Sequence, residues 1–403
     1  MHGGTVNSRS ISIDYLVGGL RISLGPDSTT PGPRNHITNF TQAAELRGHR
    51  VHKFVTSDVP GLTRFAKIRE GSAGRRNPAV VLAGDLIRVL AMLWAGGAVM
   101  ATSLRRPSPH VIYERLSVMQ SLSSFHPRKR RAFRIVESNG IMSRETSQDR
   151  KALVLERLAA ALERHAYRRA DMVVAVSSAL ADEVARFAEI ERSSVVVIPN
   201  AVPLGLPEAT EKADLNNSID GPILGFAGSV VEWQQLDLLL EAHGECGLDA
   251  PRIEIIGDGP ELPKLKRLVN EMGSGAKVKF LGKLPQSDVY AAMSRWTIGF
   301  AGHKSTSSNQ MYHSPLKLYE YAGLGLGVIC TPSDDSEALK ASGMPVWNFA
   351  SKRELTDLLM SMSAKAATVG AYRLSDMERV QHQHSWVARV DQVLDLASQR
   401  GLQ

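Results

Sequence analysis

Two series of alternating strand and helix signals, interrupted once between Val202 and Gly221, constrain this chain more than any other feature. In the first series the apolar run "ISIDYLVGG" passes through a Gly/Pro/Ser/Thr loop, "SLGPDSTTPGPRN", into a helical pattern, "HITNFTQAAELRG". There Ile37, Phe40, Ala44 and Leu46 recur at helical spacing, Gly48 stops the pattern, and the strand-like "HRVHKFV" follows. Strand, loop, helix and strand in that order make a βαβ unit, which requires parallel pairing and a doubly wound sheet. "HVIYER", "FRIVES", "DMVVAVS" and "SVVVIPN" supply further strands, and "SSALADEVARF" a helix capped by Ser177 or Ser178. The interruption, "VPLGLPEATEKADLNNSIDG", has no apolar period and reads as a linker. After it the alternation restarts with "PILGFAG", "QLDLLLEAH", "RIEIIG", "ELPKLKRLVNEM", "KVKFLG", "SDVYAAMSR", "TIGFA" and "LGVICT". The predicted architecture is α/β: two doubly wound domains over 1–201 and 221–375, joined by a linker over 202–220. A C-terminal helical segment, 376–403, puts Trp386, Val390, Val393 and Ala397 on one face and packs back on one or both domains. Ligands of such sheets lie at the carboxyl ends of the strands, so a cleft between two facing domains is the expected site.

Size and composition agree. A chain of 403 residues exceeds what one hydrophobic core usually serves, and the 43% apolar fraction is that of a globular protein. Cys246 and Cys330 are the only cysteines, far apart and in no metal-ligand spacing, which excludes a disulfide scaffold and fits a reducing, cytoplasmic compartment. The N-terminus "MHGGTVNSRS" shows no secretion signal, and His2 excludes myristoylation there. A net charge of +7 invites an anionic partner. Arg128, Lys129, Arg130, Arg131 and Arg134 cluster in "HPRKRRAFR", but without interleaved aromatics or a zinc or helix-turn-helix pattern, which argues against nucleic acid. The cluster is either a solvated basic turn or a contact to phosphate or an anionic lipid surface. Residues 85–104 are the one membrane-like stretch. Asp85 and Arg88 interrupt its start, and the uncharged run from Val89 to Leu104 falls short of the roughly 20 residues of a span, so a buried or interfacial helix is expected.

The chemistry concentrates in the second domain. Its strands end in small residues: Gly228 and Ser229, Gly257 and Gly259, and Gly302, where a ligand can approach the backbone. "GDGPEL" fails as a dinucleotide fingerprint because its third glycine position is Leu262. In "HSPLKLYEYAGLGLGVI", Ser314 suits an N-cap and Pro315 a first helical position, so orphan amides around Leu316 would face a ligand. Such a tip attracts phosphate, and Lys317 would add a full charge. Glu320 lies one turn along the same face, where a carboxylate suits the paired hydroxyls of a ribose. The simpler reading is a half-exposed ion pair between Lys317 and Glu320, adding less than about 1 kcal/mol.

These segments, in this order and spacing, resemble glycosyltransferase family 4. The likeness lies in "GPRNHITNFTQAAELRGHRVHKFV", "RRADMVVAVSSALADEV", "VVVIPNAV", "ILGFAGSVVEWQQLDLLLEA", "IEIIGDGPELPKLKRL", "KVKFLGKLPQSDVYAAMSRWTIGF" and "SPLKLYEYAGLGLGVI". The resemblance implies the GT-B fold of two facing Rossmann-like domains. It also implies retaining sugar transfer from a nucleotide-sugar to an acceptor, without a metal or other cofactor, the donor on the second domain and the acceptor on the first. Of two glutamates that members carry eight positions apart, the second is Glu320, implied to hold the ribose, while the first falls on Tyr312. The basic pair that members place on the donor diphosphate falls on Ser229 and on Gln234 or Gln235. Either Lys317 and the helix tip neutralise the diphosphate instead, aided by His303 or Lys304, or the donor site is degraded. Gly32 matches a glycine loop at the donor phosphates, and backbone near Lys283 and Leu284 is expected to read the base. Asn35, His36, Glu137 and Asn139 are expected on the acceptor side.

The leading expectation is therefore a cytoplasmic or membrane-peripheral enzyme acting on a glycolipid, polysaccharide or metabolite. A non-catalytic relative serving as a partner subunit and a nucleotide-sugar epimerase are the alternatives.

Overall fold

A computed structural model describes residues 10–25, 30–59, 62, 77–127, 132–149, 151–206, 221–273, 275, 277–304 and 312–402. The chain divides into two compact units, Met1–Pro199 with Trp386–Gln403, and Asn200–Ser385. Of the expected linker, residues 202–206 belong to the second unit and 207–220 lie outside the described residues. The boundary near the C-terminus falls at 385/386, so residues 376–385 stay with the second unit and the helix Trp386–Gln399 belongs to the first.

The first unit is built on six parallel strands: β1 (Ser12–Val17), β2 (Arg50–Val55), β3 (Val111–Arg115), β4 (Phe133–Ser138), β5 (Met172–Ala175) and β6 (Val195–Val197), in the order β2-β1-β3-β4-β5-β6. Strands β3 and β5 are buried along their whole length, as expected for a parallel sheet covered on both faces. The register sets Arg115 opposite Glu137 at the carboxyl ends of β3 and β4. Helix α1 spans Pro31–Leu46 and so begins earlier than the sequence pattern suggested. Pro31 and Pro33 fit a first turn, where a missing N–H costs nothing. Gly32 is therefore in the first turn of α1 rather than in a loop, and Asn35 and His36 follow inside the helix. Helix α2 spans Pro78–Arg105, capped by the Asn77 side chain on the Ala79 N–H. The C-terminal helix packs on α1. Trp386 lies edge-on to His36 at 4.6 Å and to Phe40 at 6.3 Å, and Arg47 pairs with Asp391.

The second unit has β7 (Ile223–Ala227), β8 (Arg252–Ile256), β9 (Val278–Gly282), β10 (Ile298–Ala301), β11 (Gly327–Cys330) and β12 (Val346–Asn348), parallel in the order β12-β11-β10-β7-β8-β9. Strand β12, in "PVWNF", is too short to announce itself in the sequence. The order reverses direction at β7 and β10, the switch point where a doubly wound sheet opens a crevice at its carboxyl edge. Aromatic side chains wall the core below it, with Trp296, Phe300, Tyr319 and Tyr321 fully buried.

Candidate active site

At the carboxyl edge of the second sheet the loops interlock through backbone alone. The Gly228 N–H donates to the Ile256 carbonyl (3.0 Å), Val230 to Asp258 (3.0 Å) and Gly257 to Gly282 (2.8 Å). Gly257 has φ +132°, and a Cβ there would stand 1.8 Å from the Gly228 carbonyl oxygen, so only glycine lets these loops meet. Gly228 and Ser229 are left exposed on a floor of main chain.

The helix carrying the charged pair spans Leu316–Gly323. Pro315, with ψ 117°, is the N-cap, and no side chain caps the helix. Ser314 is thus not the cap. Its hydroxyl accepts from the Asn200 N–H (2.9 Å) and its carbonyl from Asn200 Nδ2 (2.6 Å), which fixes the segment leading into the helix. Leu318 N–H returns to the Pro315 carbonyl, so the amides of Leu316 and Lys317 are the orphan donors at the tip.

Lys317 is half-buried. Its ammonium donates to Gln234 Oε1 (3.0 Å), lies 4.8 Å from the centroid of the Phe226 ring and stands 2.9 Å from where a Gly228 Cβ would be. Burial pushes its pKa down to about 8, with Glu320 pulling the other way. At neutral pH the site therefore holds a cation over the end of β7. Glu320 is also half-buried, and burial raises its carboxyl above the usual range against the opposing charge of Lys317. Among the described residues no ion pair joins Lys317 to Glu320 and no hydrogen bond reaches the Glu320 carboxylate, so the simple surface ion pair is absent. Burial, with the charge of Glu320, moves the Tyr290 hydroxyl up to about 12.

Of the two expected auxiliary cations, one is neutral and the other is paired. Burial, with His313 and Lys317 nearby, lowers His303 to about 4, so its ring is neutral at physiological pH, while its backbone N–H donates to Thr331 Oγ1. Lys304 is spent on Glu232 at 2.9 Å on the exposed surface. Lys283 is exposed after Gly282, whose φ is +69°, and Leu284 packs on the apolar cluster that includes Leu318 and Tyr321. Tyr312 is half-exposed beside the His313 ring at 5.1 Å.

In the first unit the four expected acceptor-side residues separate by burial. Glu137 is 1% exposed and accepts from Arg115 (2.5 Å), His36 Nε2 (2.9 Å), the Tyr113 hydroxyl (2.8 Å) and Asn139 Nδ2 (2.5 Å). Burial alone would raise its carboxyl, but His36, Arg115 and these hydrogen bonds hold it well below the usual range. Glu137 and His36 therefore belong, with Arg115, to an internal hydrogen-bonded network beneath the strand ends, and of the four only Asn35 and Asn139 keep accessible surface. Arg134, read with the basic cluster, instead donates to the carbonyls of Ser123 and His126. Arg128, Lys129, Arg130 and Arg131 lie outside the described residues. The sequence reading missed Arg115, though a charge inside the strand-like "HVIYER" was a signal that something buried there needed a counter-ion. It also missed the Lys317–Gln234 contact, which spans 83 positions and leaves no local pattern. Among the described residues, no three His, Cys, Asp or Glu side chains are grouped to hold a metal.

Residues 32–206 match the profile of Glycosyltransferase Family 4, and residues 237–395 that of a glycosyl transferase-like domain. A 2-deoxystreptamine N-acetyl-D-glucosaminyltransferase of Streptomyces fradiae is 33% identical over 147 residues, covering 34% of this chain and 35% of that protein. The match thus spans about a third of that relative's length. Among solved structures, Anabaena HepE in complex with UDP-glucose superposes with a TM-score of 0.61 at 18% identity, covering 96% of this chain and 100% of that one. Sucrose-phosphate synthase from Thermosynechococcus elongatus gives a TM-score of 0.65 at 16% identity, covering 96% and 98%. At such identities the structural likeness speaks for the fold: two Rossmann-like units of the GT-B type. Both halves are thus matched by glycosyltransferase profiles, the first by that of Glycosyltransferase Family 4, and with this fold beneath them they support a family 4 assignment.

Proposed function

We propose that the protein transfers a sugar, with retention of anomeric configuration and without a metal, from a nucleotide-sugar to a glycolipid, polysaccharide or metabolite acceptor in the cytoplasm. One observation carries the reading. On a single helix, Lys317 directs a cation over the glycine floor of the sheet's switch point while Glu320, a turn further, holds a half-buried carboxylate without a hydrogen-bond partner among the described residues. A diphosphate leaving group needs a positive charge as the glycosidic bond breaks, and preorganised electrostatics of this kind is commonly the largest catalytic contribution. The Leu316 and Lys317 amides add donors at the helix tip. Glu320 would accept from the two ribose hydroxyls, whose binding would also satisfy a carboxylate whose burial is otherwise unfavourable. HepE is described in complexes with UDP and with UDP-glucose, which makes a uridine diphosphate donor the first to test.

Calorimetric titration with UDP, GDP and ADP, followed by slow hydrolysis of the matching nucleotide-sugars, tests the proposal. Binding of one nucleotide, with donor turnover, is expected. Binding without turnover of any donor favours the partner-subunit reading that Ser229, Gln234 and Tyr312 leave open, and no binding removes the donor site altogether.

A further inference from the structure

Helix α2 is apolar on both sides. One side is bolted to the first unit: Asp85, fully buried, accepts from Arg88 and from the Val154 and Leu155 amides, and Gly96 lies so close to Phe125 that a Cβ would meet its ring at 2.5 Å. The other side faces outward and carries no charge from position 79 to 104. Leu82, Leu86, Leu90, Leu93, Trp94 and Leu104 stand along it, with Leu90 65%, Trp94 64% and Leu104 66% exposed. At 100° per residue these side chains fall within a band about 120° wide, the width of a core-facing stripe, with no core against it among the described residues. The helix is long and apolar enough to cross a membrane by composition, but a third of its apolar window is buried in protein, and spanning would tear Asp85 from its partners.

Charge selects the occupant. Residues 1–199 and 386–403, the first unit, contain 31 Lys and Arg against 19 Asp and Glu, a net of +12, whereas the remaining residues carry −5. Arg105 and Arg106 close the C-terminal end of the stripe, both exposed. A second copy docking on this face would bring two +12 units together, and the flanks of the stripe lack the opposite charges that fix helix pairing. An anionic bilayer matches both the apolar stripe and the sign of the unit. We propose that α2 is a monotopic anchor that lies in the plane of an anionic membrane, its leucines and Trp94 dipping to the acyl boundary. This stands independently of the donor site.

The full chain should sediment with vesicles of equal parts phosphatidylcholine and phosphatidylglycerol, at least about tenfold more tightly than with phosphatidylcholine alone, and lose that difference in high salt. Leu90→Glu with Leu93→Glu should weaken the binding at least about tenfold while leaving the melting temperature unchanged, since both side chains are exposed. A blue shift of tryptophan emission on binding should vanish in Trp94→Phe, which still sediments. The proposal is overturned if the wild type stays in the supernatant, binds neutral vesicles equally or sediments unaffected by the double substitution. A dimer in light scattering that the double substitution splits would overturn it too, giving the face to a second copy.

Discussion

Lys317 hydrogen-bonds Gln234 at 3.0 Å, although the two lie 83 positions apart and on different elements. Gln234 is one of the two positions at which family resemblance leads one to expect the diphosphate-binding lysine. The ammonium of Lys317 thus occupies the place that a lysine at 234 would reach, by a route from the opposite wall.

Exchange of the two residues tests this. Lys317→Ala should lower kcat/KM for the nucleotide-sugar by about a hundredfold or more, the usual effect of removing one preorganised group from a developing anion. Adding Gln234→Lys to that variant should restore a substantial part, whereas Gln234→Lys alone should weaken binding by placing two ammonium groups side by side. Steady-state kinetics on all three, with melting curves to confirm folding, decide it. No rescue in the double variant would mean that the cation at 317 acts by geometry of its own.

The depressed Lys317 predicts a pH signature. If its protonated form holds the diphosphate, as proposed, affinity should be full below about 8 and decline as pH rises through that value, approaching tenfold per unit. Lys317→Arg, which does not titrate there, should remain flat over the same window. Calorimetry with UDP from about pH 7 to about pH 9 distinguishes the two. A wild type as flat as the arginine variant would place the lysine off the phosphate.

Glu320 predicts selectivity for the ribose. Wild-type protein should bind UDP at least about tenfold more tightly than 2′-deoxy-UDP, because a buried carboxylate left without its hydroxyl donor is penalised. Glu320→Ala should abolish that preference by weakening UDP while leaving the deoxy compound nearly unchanged. Equal loss for both ligands would indicate a fold effect and not ribose recognition.

The fold was legible because parallel strands buried on both faces leave dense runs such as "DMVVAVS" and "IEIIG", and βαβ connectivity leaves little topological freedom. The charged helix was legible too, since Lys317 and Glu320 in an otherwise apolar stretch break a local rule. What escaped was non-local. Ser314 looked like a cap, but only the three-dimensional arrangement shows Asn200 taking its hydroxyl. Glu137 at a strand end suggested an exposed acceptor contact, yet Arg115, one strand over in register, and His36, on α1, draw it inside. The outward stripe of α2 shares its hydropathy with its buried side, so only packing tells the two apart.

The Glu137 network yields the last prediction, which separates a positioning role from contact with acceptor. The carboxylate is held well below its ordinary pKa by His36 and Arg115, so its stabilising contribution is complete above the usual carboxyl range and is lost only as pH falls toward the depressed folded value. Glu137→Gln leaves Arg115 buried without its counter-charge and should cost about 3 kcal/mol or more at neutral pH, with the difference from wild type shrinking on acidification. The acceptor KM of whatever folded enzyme remains should change little, since Glu137 is 1% exposed, whereas Asn139→Ala, at the accessible edge, should raise it. Denaturant melts across the acidic range, with acceptor kinetics on both variants, provide the check. A Glu137→Gln protein as stable as wild type but with a raised acceptor KM would reverse the assignment and make the glutamate part of the binding surface.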